Sequence, residues 1–260
     1  MFSVSAWFRQ HALEHHLIGD EVWQPVLDRL EILQGLTPEQ LHDLRERASL
    51  FLLRKKISTV DGLELSDIDR ACIATLAEQI LLGLDDKLKW FQGFHEVSVY
   101  PDAFVTHRST TDTCGIVHQE PHALSGEAWH QGGVVLDWHS VQEGFTWGYG
   151  NVVAHEMSHK LDMLNGAANG CPPLHSNMCH TTWSNVMQSA FDHLCKYVEQ
   201  HGPQHSPINA YGTTNPAEFF AVITEYFFNA PHQLHKVFPE VYEQYKLFYR
   251  QDPIQRSAHA

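Results

Sequence analysis

The run NVVAHEMSHKLDMLNG, residues 151–166, constrains this chain more than any other stretch. It opens on asparagine, which caps helix starts, and closes on Asn165-Gly166, a pair that ends them. Between those signals Val152, Val153, Met157, Leu161 and Leu164 supply an apolar backing. The pattern predicts a helix over 151–164 anchored in a core. On such a helix, residues four apart share a face, so His155 and His159 aim two imidazoles at one point. That is the bite a tetrahedral zinc ion takes from two neutral nitrogens. Glu156 is turned about 100° from His155 and reaches the open coordination position without being a ligand.

In a chain with 20 histidines the spacing alone does not decide between a metal site and an amphipathic surface helix. A third ligand decides. The extended form HExxHxxGxxH is excluded, because Asp162 stands at its glycine and Asn165 at its last histidine. A carboxylate from a later helix is the other route. PAEFFAVITEYFF, residues 216–228, offers Glu218 and Glu225, seven apart and so on nearly one helical face, two turns from each other. Both cannot reach one ion. The helix dipole favours Glu218, in the first turn after Pro216. Glu225 remains open as an outer partner of the site or as part of a buried polar cluster. Asp162 returns to the face of His155 and has two readings: an acceptor for a ligand imidazole, or a surface salt bridge.

Elsewhere the chain reads in blocks. Thr37-Pro38-Glu39-Gln40 is a capping box with proline at the first helical position, and predicts a helix over 37–57. A second helix runs from Ser66 to Gly83. Residues 97–105, 114–118 and 132–141 are short, β-branched and aromatic, and read as strands. Helices return at 151–164, 178–201, 215–230 and 239–250, with irregular loops at 144–150 and 165–177. Helices, then a small sheet, then helices make an α+β layout. Residues 1–92 read as an N-terminal helical lobe and 93–260 as the catalytic part, with no clear linker.

Composition narrows the class. The formal net charge of −14 argues against direct nucleic-acid binding and against anionic membranes, and leaves a basic protein partner open. Five cysteines, without a CxxC pair, do not make a secreted disulfide framework. The N-terminus has no signal-peptide core, and no 18-residue apolar run occurs. A reduced, soluble, cytoplasmic protein is expected. HALEH (11–15) is the inverted zinc string HxxEH, but no sheet precedes it, and the quartet Cys171, His175, Cys179 and His180 fits no standard zinc-finger spacing, so neither is expected to hold a metal; the pairs His118/His122 and His201/His205 are expected to be surface residues. Tyr226-Phe227-Phe228 is expected in the core.

HEMSHKLDMLNG, INAYGTTNPAEFFAVITEYFFNAP and FYRQDPIQR resemble the family of Mlc titration factor A, bacterial zinc peptidases whose catalytic domain is similar to the C-terminal domain of anthrax lethal factor. GFHEVSVYPDAFV (93–105) and GGVVLDWHSVQEGF (132–145) extend the likeness, and LRERASLFLLRKK (44–56) more loosely. The resemblance implies a zincin-like fold of the gluzincin type, a small mixed sheet with an edge substrate strand against the HExxH helix. The strand at 132–139 takes that place by analogy. It implies one zinc ion held by His155, His159 and Glu218, Glu156 as general base, and Tyr211 stabilising the transition state. It further implies aminopeptidase action on peptides and sequestration of the Mlc transcriptional repressor, which controls glucose phosphotransferase genes. The alternative is a non-catalytic regulatory binding protein on the same scaffold.

Overall fold

A computed structural model describes residues 11–84, 90–102, 104–111, 117–124, 126–128, 132–148 and 150–257. Helix α1 spans Asp20–Arg29 and α2 spans Pro38–Arg54. The capping box forms as expected: Gln40 N donates to Thr37 Oγ1 at 3.2 Å and Thr37 N to Gln40 Oε1 at 2.9 Å. The helix stops at Arg54, short of the expected 57. Lys56–Thr59 leaves it as strand β1, paired in parallel with β2 (Glu96–Tyr100), with Ile57 opposite Val97. Between them α3 (Asp67–Gln79) carries its own capping box, Ser66 with Asp69.

The expected strand 97–105 is two elements. β2 ends at Tyr100, and β3 (Phe104–Thr111) pairs antiparallel with β4 (Val117–Leu124) in a separate two-stranded sheet. The expected strand 114–118 lies mostly outside the described residues. β5 (Gly126–Ala128) and β6 (Val134–Asp137) follow. The segment 132–141 is only half strand. Asp137 accepts a hydrogen bond from Ser140 N at 2.8 Å and turns the chain into α4, Trp138–Glu143. An aspartate that ends a strand by capping a helix overrides the β-branched signal beyond it.

The main sheet has the order β1-β2-β6-β5. β1, β2 and β6 run parallel, and β5 runs antiparallel to β6. The strand that precedes the HExxH helix is therefore not an edge, contrary to the expectation by analogy. Val134 and Leu136 are fully buried, as an interior strand in a parallel sheet requires. The edge on that side is β5.

The remaining helices are α5 (Val152–Asp162), α6 (His180–His201), α7 (Pro216–Asn229), α8 (Pro231–Val237), α9 (Pro239–Tyr249) and α10 (Pro253–Ser257). Helices, a mixed sheet and more helices give the expected α+β arrangement. One hydrophobic cluster runs from Ile18 to Tyr249. α7 is apolar nearly all round and is accordingly buried nearly throughout. Its Tyr226, Phe227 and Phe228 are core, as expected. Phe227 stacks on Tyr249 at 5.6 Å, and Trp183 of α6 stacks on Tyr245 at 5.7 Å. The buried phenols find partners: Tyr245 OH donates to Phe220 O at 2.9 Å, and Tyr249 OH lies 2.9 Å from Thr224 Oγ1. Leu164 departs from expectation and is 41% exposed. α5 ends at Asp162, and the 3₁₀ turn Met163–Asn165 rotates Leu164 off the core face.

Candidate metal centre

Two helix starts build the site. Asn151 caps α5 by accepting from Ala154 N at 3.0 Å, and every residue of that helix is buried. Asn215 caps α7 by accepting from Glu218 N at 3.0 Å, with Pro216 in the first turn. Both caps fix the phase of the side chains that follow. α5 packs against α7. His155 Nε2 lies 3.2 Å from Glu218 Oε2, and His159 Nε2 lies 3.3 Å from the same oxygen. The ligand atoms of the three residues fall within 4.8 Å of one another, and all three residues are buried. Glu225 is also at this site but on the far side of His155, with Oε1 2.7 Å from Nδ1. The choice that sequence spacing left open is thus made by packing: Glu218 faces both Nε2 atoms, Glu225 one Nδ1.

The electrostatics are those of a cation-seeking pocket. Burial opposes a charge on His155, yet hydrogen bonds to Glu218 and Glu225 outweigh it and raise the pKa well above the usual imidazole value. Burial also opposes ionisation of Glu218, but the two imidazoles hold its carboxyl far below the usual carboxylate range. Burial pushes Glu156 up to about 7, against the pull of His155 and His159. Two buried nitrogens and one buried carboxylate oxygen are a zinc donor set. Glu156 Oε2 and His159 Nδ1 are buried without a hydrogen-bond partner. Buried polar atoms are seldom left so. A buried Glu156 oxygen without a hydrogen-bond partner, on a carboxyl that feels the charges of His155, His159 and Glu218, fits a metal with its water.

Asp162 is not a surface salt bridge, since it is fully buried. Its Oδ2 accepts from Asn169 N and Gly170 N, each at 2.7 Å, and so pins the loop after α5. Burial raises its pKa against those backbone hydrogen bonds. Gly170 in turn accepts from Trp183 Nε1 at 3.1 Å. It sits at φ +79°, where a Cβ would lie 2.5 Å from the Pro216 carbonyl oxygen. Gly170→Ala should therefore press on the first turn of α7, which carries Glu218. A loss of about 1–3 kcal/mol is expected, read from denaturant midpoints.

Tyr211 lies in the 3₁₀ turn Ala210–Thr213, where Asn209 Oδ1 accepts its backbone N–H at 3.0 Å. Its ring is 6.1 Å from that of His155, centroid to centroid, and the residue is 38% exposed. It stands beside the site with one side open to solvent. Lys160 of α5 is a buried cation that the HExxH spacing does not point to. Its Nζ donates to Gly132 O at 2.9 Å and sits 5.3 Å from the Phe94 ring centroid, and burial lowers its pKa to about 8. The signal was there: four residues after Glu156, it shares that residue's buried face.

The other histidine clusters stay apart from this site. His11, Glu14 and His15 approach one another, but all are exposed. Cys171 Sγ lies 4.0 Å from His180 Nδ1, whereas His175 Nε2 is 2.7 Å from Phe248 O, so the loop quartet is divided. His201 and His205 are exposed, and the side chains of His118 and His122 lie outside the described residues.

This chain is similar to known proteins over nearly its whole length. The family model described as glucose-regulated metallo-peptidase M90 matches residues 4–250. Mlc titration factor A of Yersinia pestis (strain Pestoides F) is 37% identical over 235 residues, which is 90% of this chain and 86% of that protein. Mlc titration factor A of Yersinia pseudotuberculosis serotype O:1b (strain IP 31758) gives the same figures. The span of the family model includes the HExxH helix, the helix of Glu218 and all four strands of the main sheet, and on these matches the chain belongs to the glucose-regulated metallo-peptidase M90 family.

Proposed function

We propose that this chain is a zinc-dependent peptidase of the gluzincin type with aminopeptidase-like action, built on a zincin-like fold. One observation supports this above others: His155 Nε2 and His159 Nε2 converge on one oxygen of Glu218, with the Glu156 carboxylate buried beside them. His155, His159 and Glu218 would hold a zinc ion, which would supply Lewis acidity toward a carbonyl and toward water, lowering the pKa of the latter toward about 7. Glu156 accepts the proton of the attacking water and passes it to the leaving amine. The Tyr211 hydroxyl donates to the oxyanion that develops on the substrate. An extended peptide pairs with the edge of β5, which lies against α5. Tyr211→Phe should lower kcat about 10²-fold, with KM little changed, because the lost hydrogen bond acts in the transition state. Steady-state kinetics on a peptide substrate check it. The function itself is tested by zinc analysis together with a peptide-library digest. Absence of chelator-sensitive hydrolysis would leave the non-catalytic binding protein as the reading.

A protein partner of Mlc repressor type belongs to the same proposal, because the relatives carry the name Mlc titration factor A. Through it the chain modulates glucose phosphotransferase expression. A net charge of −14 complements a basic partner. Among the described residues no helix is long and apolar enough to cross a membrane, and we place the chain with that partner in the cytoplasm. Capture of the repressor by Glu156→Gln would show the two roles to be separable.

A further inference from the structure

We infer that Glu225 is a positioning residue for the metal site, fixing His155 as its anchored ligand while His159 is held less firmly. The inference rests on the zinc reading above. Glu218, Glu225 and Asn229 stand at i, i+7 and i+11 on α7, so the latter two fall within about 20° of Glu218, on either side of it, around the helix axis. That face makes a ladder of contacts with α5 and its approach. Glu218 meets the Nε2 atoms. Glu225 Oε1 accepts from His155 Nδ1 at 2.7 Å, and its Oε2 accepts from Asn151 N at 2.9 Å. Asn229 Oδ1 accepts from Asn151 Nδ2 at 2.8 Å, and Asn229 Nδ2 donates to Thr146 O at 3.0 Å. Asn151 is the cap that sets the phase of α5. One carboxylate therefore grips both the start of the HExxH helix and the ring of its first histidine.

The chemistry of that grip is directional. A carboxylate at Nδ1 keeps a proton there, which leaves the Nε2 lone pair for the metal and fixes the ring plane. His159 lacks this: its Nδ1 is buried with no hydrogen-bond partner. The two imidazoles are thus unequal, although their spacing on α5 is symmetric.

A simpler role for Glu225 is to accept the Asn151 N–H and no more. Glu225→Gln separates the two. The carboxamide oxygen can still take the Asn151 N–H, but the charge at Nδ1 is gone. Three readouts are compared in wild type and Glu225→Gln: zinc affinity by chelator competition, the melting temperature of the metal-free protein, and the His155 Nδ1–H resonance in ¹⁵N-histidine spectra with zinc. We expect zinc affinity to fall about 10- to 100-fold. The downfield, slowly exchanging Nδ1–H signal should be lost or shifted, and the metal-free melting temperature should fall, because the buried contact of Glu225 with His155 loses its charge while the Asn151 N–H keeps its acceptor. Wild-type zinc affinity in the variant, whatever the Nδ1–H signal does, overturns the inference. Should the variant fail to fold, the zinc-loaded wild type decides: a protected Nδ1–H on His155 but not on His159 supports the inference, and equal exchange of both contradicts it. A wild type that binds no zinc takes down the functional reading together with this one, whereas zinc binding insensitive to Glu225 takes down this one alone.

Discussion

Replacing Glu156 with glutamine should cut peptide hydrolysis by about 10²- to 10⁴-fold, the usual worth of a positioned general base. Zinc content should stay at the wild-type level, because Glu156 is not among the residues whose ligand atoms converge. The fold should hold or gain. Glu156 is a buried carboxyl whose Oε2 has no partner, and burial already pushes it toward its neutral form. A neutral amide of the same shape removes that desolvation cost. Initial rates on peptides, zinc analysis and melting curves on the two proteins check all three parts. A variant that hydrolyses peptides at the wild-type rate would remove Glu156 from its role.

Loss of Glu218 should act on binding rather than on proton transfer. Glu218→Ala takes away the one oxygen on which both Nε2 atoms converge. Stoichiometric zinc should be lost, and hydrolysis with it. The stability that zinc lends the native state should go as well. A ligand at 1,000 times its Kd contributes about 4 kcal/mol, so wild type should melt higher with zinc and lower with a chelator. The Glu218→Ala curve should move little with either. A variant that still takes up one tightly held zinc ion would show that Glu218 is no ligand.

Much of this was legible in the sequence because it is local. Asn151, Thr37-Pro38 and Asn215-Pro216 announce helix starts through their own hydrogen bonds, and each of those caps is formed. The pairing of His155 with His159 follows from helical period alone. What was not legible depends on neighbours distant in the chain. Glu218 and Glu225 share a face of α7, so no period separates them; the packing of α5 across that face does. β1 is hard to see in the sequence because Lys56–Thr59 is short and holds a single apolar residue, Ile57, and it becomes a strand only by pairing with residues 96–99. The edge position of 132–139 rests on analogy alone, because its residues do not say what lies on either side; β2 and β5 both do. The end of α5 was placed too late, and Leu164 with it, since Asn165-Gly166 also closes a 3₁₀ turn.

The most direct measurement is anomalous diffraction at the zinc edge from crystals of the zinc-loaded wild-type protein. The account predicts one strong peak about 2.0–2.2 Å from Nε2 of His155, Nε2 of His159 and a carboxylate oxygen of Glu218. A peak bound elsewhere, or none between these three side chains at saturating zinc, would contradict it.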